Sequence, residues 1–130
     1  MRILFLCVEN AGRSQMAEAF ARAVAPPGVE IFSAGSRPAE RVNPVVTEVM
    51  REARMEIGTT RPKGLGDLPE GVFDLVVTMG CGDACPSHRA RKTLEWEIPD
   101  PKGQLKEAVR AIRDEIREKV EALLSGLRVC

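Results

Sequence analysis

The chain has 130 residues, of which 44% are hydrophobic, enough for one buried core without disulfide staples; this predicts a single domain over residues 1–130. Its 19 basic and 19 acidic residues give a formal net charge of zero, which argues against nucleic acid or a membrane surface as the partner. The sequence has no pattern of a signal peptide or membrane span, so we expect a cytoplasmic protein. We also expect a monomer.

Four segments predict strands. Two are continuous apolar runs rich in branched residues, one alternates between apolar and polar residues, and the last is weaker. In chain order they are RILFLCV from Arg2, VEIFSA from Val29, FDLVVTM from Phe73 and LEWEI from Leu94.

Helical periodicity fills the intervals between the predicted strands. It predicts helices over residues 14–24 and 43–55, the second begun by Asn43 as cap and Pro44 in the first turn. A last amphipathic helix begins near Leu105 and is expected to stop at Gly126. This alternation predicts an α/β fold, a four-stranded parallel sheet flanked by helices on both faces. Ligands of such folds bind at the carboxyl ends of strands.

Cys7 falls at that position, where the first strand ends and a short loop enters a helix. The pattern is C-x5-R-S, with Arg13 and Ser14 at the helix start. A loop this short, with Gly12 giving backbone freedom, turns successive N–H groups inward and forms an anion nest at a positive helix end. The guanidinium of Arg13 adds a bidentate fork for a tetrahedral oxyanion. The expected oxyanion-binding residues are Val8, Glu9, Asn10, Ala11, Gly12 and Arg13.

The same field favours the ionised thiolate, so Cys7 is the predicted nucleophile. Ser14 either donates a hydrogen bond to the sulfur or only caps the helix. Asn10 is expected to brace the loop, and the Glu9 side chain to point outward, because a carboxylate facing a thiolate opposes its ionisation. The alternative is a structural cysteine that merely ends a buried strand. A nucleotide-binding P-loop is excluded, because the chain has no G-x4-G-K-[ST].

Several motifs together resemble a known family. They are LFLCVENAGRSQMAEAF from Leu4, SAGS from Ser33, VNP from Val42 and IPDPKG from Ile98. In this order they resemble the low-molecular-weight protein tyrosine phosphatases over nearly the whole chain. RSQMAE and the paired-cysteine stretch VVTMGCGDACP further resemble the arsenate reductases of that superfamily that thioredoxin recycles. The resemblance implies an oxidoreductase for arsenical detoxification, without a cofactor, whose substrate arsenate competes with phosphate and sulfate.

The resemblance also implies that Asp100 is the general acid that protonates the leaving oxygen. In the tyrosine phosphatases a tyrosine typically follows this Asp-Pro pair and helps to hold the substrate ring. Here Lys102 follows, and the chain contains no tyrosine. A small inorganic oxyanion is therefore the better expectation, although a phosphomonoesterase using Cys7, Arg13 and Asp100 stays open as the alternative.

The four cysteines are more typical of redox, catalytic or metal chemistry than of a structural framework in a cytosolic chain. By the resemblance, Cys81 attacks the sulfur of Cys7 in the arsenate adduct, and Cys85 then attacks Cys81 to leave a disulfide for thioredoxin. Three residues separate the pair, so only a turning backbone, with the alpha carbons about 6 Å apart, allows the disulfide. Some related reductases instead pass the adduct to a small thiol such as mycothiol.

A zinc site is the competing interpretation of the same stretch. Cys81, Cys85, His88 and Cys130 offer four ligand types. We expect no metal, because one ligand comes from the end of the sequence and the spacing matches no familiar zinc motif. Cys130 is then a free thiol.

Overall fold

The computed structural model describes residues 1–57, 60–80 and 89–128 of the chain. Its regular elements follow one another as strands and helices, with a short 3₁₀ turn at Leu65–Asp67. They are β1 (Arg2–Cys7), α1 (Arg13–Val24), β2 (Glu30–Gly35), α2 (Pro44–Glu52), β3 (Phe73–Met79), β4 (Ala90–Trp96) and α3 (Lys106–Arg128). Within the described ranges, no helix has the length and apolar character needed to cross a bilayer.

The four strands form one sheet in the order β2-β1-β3-β4, and every neighbouring pair is parallel. This confirms the predicted fold class. The chain moves from β1 to one neighbour, β2, and later to the other, β3, so the strand order reverses at β1. Cys7 is the last residue of β1 and pairs with Gly35 of β2. The predicted nucleophile therefore lies at the switch point of the sheet, where ligands of such folds bind.

The two faces of the sheet are covered unequally. Ile3, Phe5 and Cys7 point to one face, where they form a single core with apolar side chains of all three α-helices. Leu4 and Leu6 point to the other face, where the partners include Leu65 of the 3₁₀ turn. In the described ranges the three α-helices therefore share the first face, and the 3₁₀ turn is the helical element on the second.

Several predicted boundaries are shifted. The amide of Val45 donates to Oδ1 of the Asn43 cap at 2.9 Å, as expected, but α2 ends at Glu52, three residues before the predicted end. Arg54, in the left-handed region with φ 64°, follows that end. The prediction that Gly126 ends the last helix is wrong, because α3 continues to Arg128. A glycine in an exposed final turn costs only about 1 kcal/mol relative to alanine, too little to end a well-packed helix.

The fourth strand lies earlier in the sequence than LEWEI predicts. It spans Ala90–Trp96, and Trp96 pairs with Met79 at the end of β3. Because β4 is an edge strand, its basic residues remain in solvent while its backbone pairs on one side. Charged side chains on an exposed edge also protect it from pairing with other chains.

Candidate active site

The backbone between β1 and α1 forms the floor of the site. Carbonyl groups of residues 7, 8, 9 and 11 accept hydrogen bonds of 2.8–3.2 Å from N–H groups in the segment 36–43. The N–H groups of residues 8–12 have no backbone acceptor in the described part of the chain. Outward carbonyls and unused N–H groups are the arrangement that an anion nest requires.

Asn10 fixes this loop from behind. Its φ of 52° places it in the left-handed region, which asparagine tolerates better than most residues. The side chain is fully buried and uses all its hydrogen-bonding capacity. Its Nδ2 donates to Ser14 and Ser33, while Oδ1 accepts from Gln15 Nε2 at 3.0 Å and from the Lys63 amide at 2.7 Å. Asn10 therefore braces the loop, as the sequence suggested.

Ser14 lies against the sulfur of Cys7. Their Oγ and Sγ atoms are 2.9 Å apart, and both residues are buried. Asn10 Nδ2 donates to the same Oγ at 2.7 Å, which leaves the hydroxyl proton of Ser14 free to point at sulfur. A thiolate carries no proton, so towards ionised Cys7 the serine is the donor. The structure therefore favours the hydrogen-bonding alternative for Ser14, and α1 has no side-chain cap.

A second layer of polar side chains supports the first, and the sequence analysis did not identify it. Ser33 Oγ donates to Glu18 Oε1 at 2.8 Å, and Lys63 Nζ lies 3.2 Å from the same oxygen. Arg22 pairs with the other oxygen of Glu18 at 2.8 Å. The sequence feature that could have indicated this layer is a polar residue at a position expected to be buried. Glu18 lies on the apolar side of α1, and Ser33 lies on the same buried face of β2 as Ile31.

Arg13 is held at the wall of the site. It is 6% exposed, its Nη1 donates to the Ile98 carbonyl at 3.2 Å, and its Nη2 lies 3.7 Å from Asp100 Oδ2. Gly80 packs against the guanidinium so closely that a Cβ there would collide with it. Gly80 also has a φ of 73°, so both space and backbone conformation require glycine.

Gly12 also has a steric role that the sequence analysis did not identify. Its φ of −143° and ψ of −91° show that the loop does not use this glycine for a left-handed turn. A Cβ at Gly12 would instead lie 2.8 Å from Cγ of Pro101. The glycine permits the turn that carries Asp100 to approach the loop.

Asp100 faces Arg13 from a more exposed position. Its side chain is 58% exposed, and its Oδ1 accepts from the Lys102 amide at 3.0 Å. Lys102 Nζ in turn lies 2.8 Å from Oε1 of Glu9. Glu9 is partly exposed, as expected, but it also lines the pocket, and its carboxylate is directed at Lys102.

These groups enclose a pocket of about 360 Å³. It is lined by residues 7–9, 11–13, 41–44 and 100–102, so Cys7, Arg13 and Asp100 share one space. Of the predicted oxyanion-binding residues only Asn10 does not line it, and Ser14 lies behind Cys7. Arg41, which sequence analysis missed, adds a cation to the lining.

The other predicted site residues, Cys81 and Cys85, lie outside the described residues, as do His88 and Cys130. The described part of the sequence contains no group of three or more potential metal ligands.

Comparison with known proteins agrees with this architecture. The family model for low molecular weight phosphotyrosine protein phosphatase matches residues 2–129. A putative arsenate reductase of Halobacterium salinarum is 38% identical over 121 residues, covering 89% of this chain and 85% of the relative. The glutaredoxin arsenate reductase of a Synechocystis species is 29% identical, covering 97% of this chain and 98% of that protein.

A solved structure of Corynebacterium glutamicum thioredoxin-dependent arsenate reductase superposes with a TM-score of 0.78 at 36% identity. The match covers 98% of this chain but 62% of the Corynebacterium chain. The nearly complete family match, the relatives and the shared fold give one assignment. The chain belongs to the low molecular weight phosphotyrosine protein phosphatase family, among the members of that family that are arsenate reductases.

Proposed function

We propose that the protein reduces arsenate to arsenite by way of a covalent adduct on Cys7. The observation that carries this proposal is the convergence of Cys7, Arg13 and Asp100 on one small pocket, with Ser14 Oγ 2.9 Å from the sulfur. A nucleophile, an oxyanion holder and an acid in one site are the elements of a displacement on a tetrahedral centre.

Arsenate binds with its oxygens against the N–H groups of the loop and the guanidinium of Arg13. These donors suit a compact tetrahedral anion, and phosphate and sulfate compete because they share its shape and charge. Burial of Arg13 behind the Ile98 and Asp100 contacts fixes the guanidinium before substrate arrives. A prepositioned donor set needs little rearrangement when charge develops in the transition state.

The first chemical step forms a sulfur–arsenic bond. Cys7 Sγ attacks arsenic, the bond from arsenic to a hydroxyl group breaks, and that hydroxyl takes a proton from Asp100 and leaves as water. In the second step the thiolate of Cys81 attacks the sulfur of Cys7. A Cys7–Cys81 disulfide forms while the electron pair of the broken sulfur–arsenic bond stays on arsenic, which leaves as arsenite.

The relay then returns Cys7 to its thiolate. Cys85 attacks Cys81, so the disulfide moves to Cys81–Cys85, where an external dithiol reduces it. Gly80 supports this assignment, because it lies against Arg13. Cys81 is the next residue of the sequence, and Cys85 follows four residues after it. Thioredoxin is the proposed reductant; a glutaredoxin, or transfer of arsenic to a small thiol such as mycothiol, is the alternative.

Single-turnover trapping tests the relay. Cys85→Ser is expected to release one equivalent of arsenite and accumulate the Cys7–Cys81 disulfide, because no thiol remains to attack Cys81. Cys81→Ser is expected to stop at the adduct with no disulfide to Cys7. Peptide mapping by mass spectrometry after one arsenate addition distinguishes these species. If both variants cycle at the wild-type rate with a small thiol, the internal relay is wrong.

Oxidation of each reductant in the presence of arsenate identifies the electron donor. Thioredoxin, glutaredoxin and a low-molecular-weight thiol are supplied one at a time to the wild-type protein. The internal relay predicts rapid turnover with thioredoxin and slow turnover with the small thiol. Preference for the small thiol would favour the transfer mechanism.

A phosphomonoesterase activity is the second candidate. The placement of Asp100 beside Arg13 favours it, because ester hydrolysis needs an acid to protonate the leaving oxygen. Arsenate reduction depends less on such an acid. We expect slow hydrolysis of aryl phosphates alongside the reductase activity. An aryl phosphate kcat/KM above that for arsenate would reverse the order of the two proposals.

A further inference from the structure

The anion pocket contains a carboxylate of its own. Glu9 belongs to the same loop whose N–H groups form the nest, and it lines the pocket. A negative charge at this position repels a doubly charged oxyanion, so the site needs something that cancels it. Lys102 does so: its Nζ lies 2.8 Å from Glu9 Oε1.

Lys102 lines the pocket as well and connects two of its walls. Its amide donates to Asp100 Oδ1 at 3.0 Å while its ammonium reaches Glu9, 93 residues away in sequence. On the inner side Asp100 faces Arg13 at 3.7 Å. The two carboxylates of the pocket are therefore each matched by a cation. Arg41 lines the same pocket and forms no ion pair with a described residue.

The contact between Glu9 and Lys102 is better explained by a role in the pocket than by a contribution to folding stability. The side chains are 36% and 70% exposed, and exposed ion pairs contribute little to folding stability. The hydrogen bond from Lys102 to Glu9, followed by the attraction of Glu9's charge, raises the pKa of Lys102 from its ordinary value of 10.5, which is already far above neutral pH. The pair has a larger effect on anion binding than on folding stability. Without Lys102, the negative charge of Glu9 at the pocket lining would be uncompensated when an anion binds.

We infer that Lys102 is a positioning residue for substrate selection: it neutralises Glu9 at the pocket and so permits tight binding of small dianions. This inference rests on the proposed function, in which the pocket holds arsenate. It also explains the lysine in place of a tyrosine after Asp100 and Pro101. A small inorganic dianion in the pocket benefits from a cation at this position.

A double-mutant cycle on phosphate binding tests the inference. Inorganic phosphate is titrated by calorimetry into reduced wild-type protein, Lys102→Met, Glu9→Gln and the double variant at low ionic strength. Lys102→Met is expected to weaken binding about tenfold, because it leaves Glu9 unpaired beside a dianion. Glu9→Gln is expected to bind at least as well as wild type, and the double variant to return to within about twofold of it.

Two matched controls complete the design. Lys102→Arg keeps the charge and is expected to keep the affinity. Lys106→Met removes another exposed lysine, which pairs with Glu48 at 3.0 Å and Glu52 at 3.7 Å and does not line the pocket, so phosphate binding should not change. An unchanged affinity in Lys102→Met overturns the inference, and so does a double variant as weak as Lys102→Met.

The outcome is separable from the fate of the proposed function. Phosphate binding needs no turnover, so the cycle reports on Lys102 even if no reductant supports arsenate reduction. Conversely, arsenate reduction by the wild type with a normal KM in Lys102→Met would keep the proposed function and refute the role of the lysine.

Discussion

The two walls of the pocket differ in how they are built. The inner wall, made of Cys7 and Arg13 and backed by Ser14, is 6% exposed or less, and Ser14 is held by the fully buried Asn10. The outer wall is made of exposed side chains, with Asp100 at 58% and Lys102 at 70%. The groups expected to bind the charged anion are thus fixed by the fold. The proposed acid, Asp100, and the neutralising Lys102 are instead exposed to water.

This difference predicts how each wall responds to substitution. A buried polar group that loses its partner costs about 1–3 kcal/mol, because no water replaces the hydrogen bond. The loss of an exposed ion pair costs about 0–1 kcal/mol of stability, because water solvates the charge that remains. Inner-wall substitutions should therefore affect stability and rate together, and outer-wall substitutions should affect mainly rate or selectivity.

The largest effect is expected for Cys7→Ser at the inner wall. Arsenate reduction should fall at least about a thousandfold, because a serine hydroxyl is not ionised at neutral pH and cannot form the adduct. Calorimetry with phosphate checks that the nest is intact, since the variant should still bind the anion. Measurable turnover in this variant would remove Cys7 from the mechanism.

The next effect is expected for Asn10→Ala. The change removes the hydrogen bonds that Asn10 makes to Ser14, Ser33, Gln15 and the amide of Lys63. It also puts alanine at a left-handed position. We expect about 2–4 kcal/mol lower stability in urea and a rate lowered about tenfold or more. Ser14→Ala is the matched variant, with a similar rate loss and a smaller stability loss. A stability loss with a normal rate would make Asn10 purely structural.

A smaller and more selective effect is expected for Asp100→Asn at the outer wall. Hydrolysis of aryl phosphates should fall most for poor leaving groups, because these depend most on protonation. Stability in urea should change by less than about 1 kcal/mol, since the Arg13–Asp100 pair is partly exposed. Equal loss for good and poor leaving groups would show that Asp100 only orients Arg13.

The smallest effect on activity is expected far from both walls, at Glu52. Hydrogen bonds from Arg110, and more weakly from Arg113, lower its pKa from 4.5 to about 2. A folded-state pKa below the unfolded value means that the carboxylate stabilises the fold above pH 4.5 and loses this contribution as the pH falls towards 2. Glu52→Gln should lower Tm at pH 7 and converge with wild type near pH 2, at unchanged kcat.

A second carboxylate serves as the control for Glu52. Glu121 forms an exposed i,i+4 pair with Arg117 at 3.6 Å. Glu121→Gln should lower Tm at pH 7 by less than Glu52→Gln does, because an exposed pair contributes little to stability. If both variants shift Tm equally at every pH, the contribution of Glu52 is general surface charge and not its hydrogen bonds.

The sequence predicted what depends on local pattern. The apolar run ending at Cys7, the glycine-bearing loop and the helix after it are adjacent in the chain, so their order already indicates a nest at a helix end. The cap at Asn43 was predicted for the same reason. The β4 boundaries were wrong because an edge strand needs little hydrophobic pattern of its own and takes its position from pairing with β3.

Contacts between distant segments could not be predicted from the pattern. The bracing of Asn10 needs Ser33 from β2 and the backbone of Lys63, and nothing in the loop sequence indicates either partner. The same holds for Glu9, whose expected outward direction was correct only in part because Lys102 was not recognised as its partner. Gly12 shows a further limit, since its close contact with Pro101 arises only when the two loops meet.

The central position of β1 has a consequence for local unfolding. This strand is paired with β2 on one side and β3 on the other, and its residues 3–7 are at most 2% exposed. Amides in such a strand exchange with solvent only in openings close to global unfolding, whereas an edge strand such as β4 opens at lower free energy. Fluctuations that loosen β4 therefore leave β1 paired on both sides, and the sulfur at its end keeps its position until the whole sheet opens.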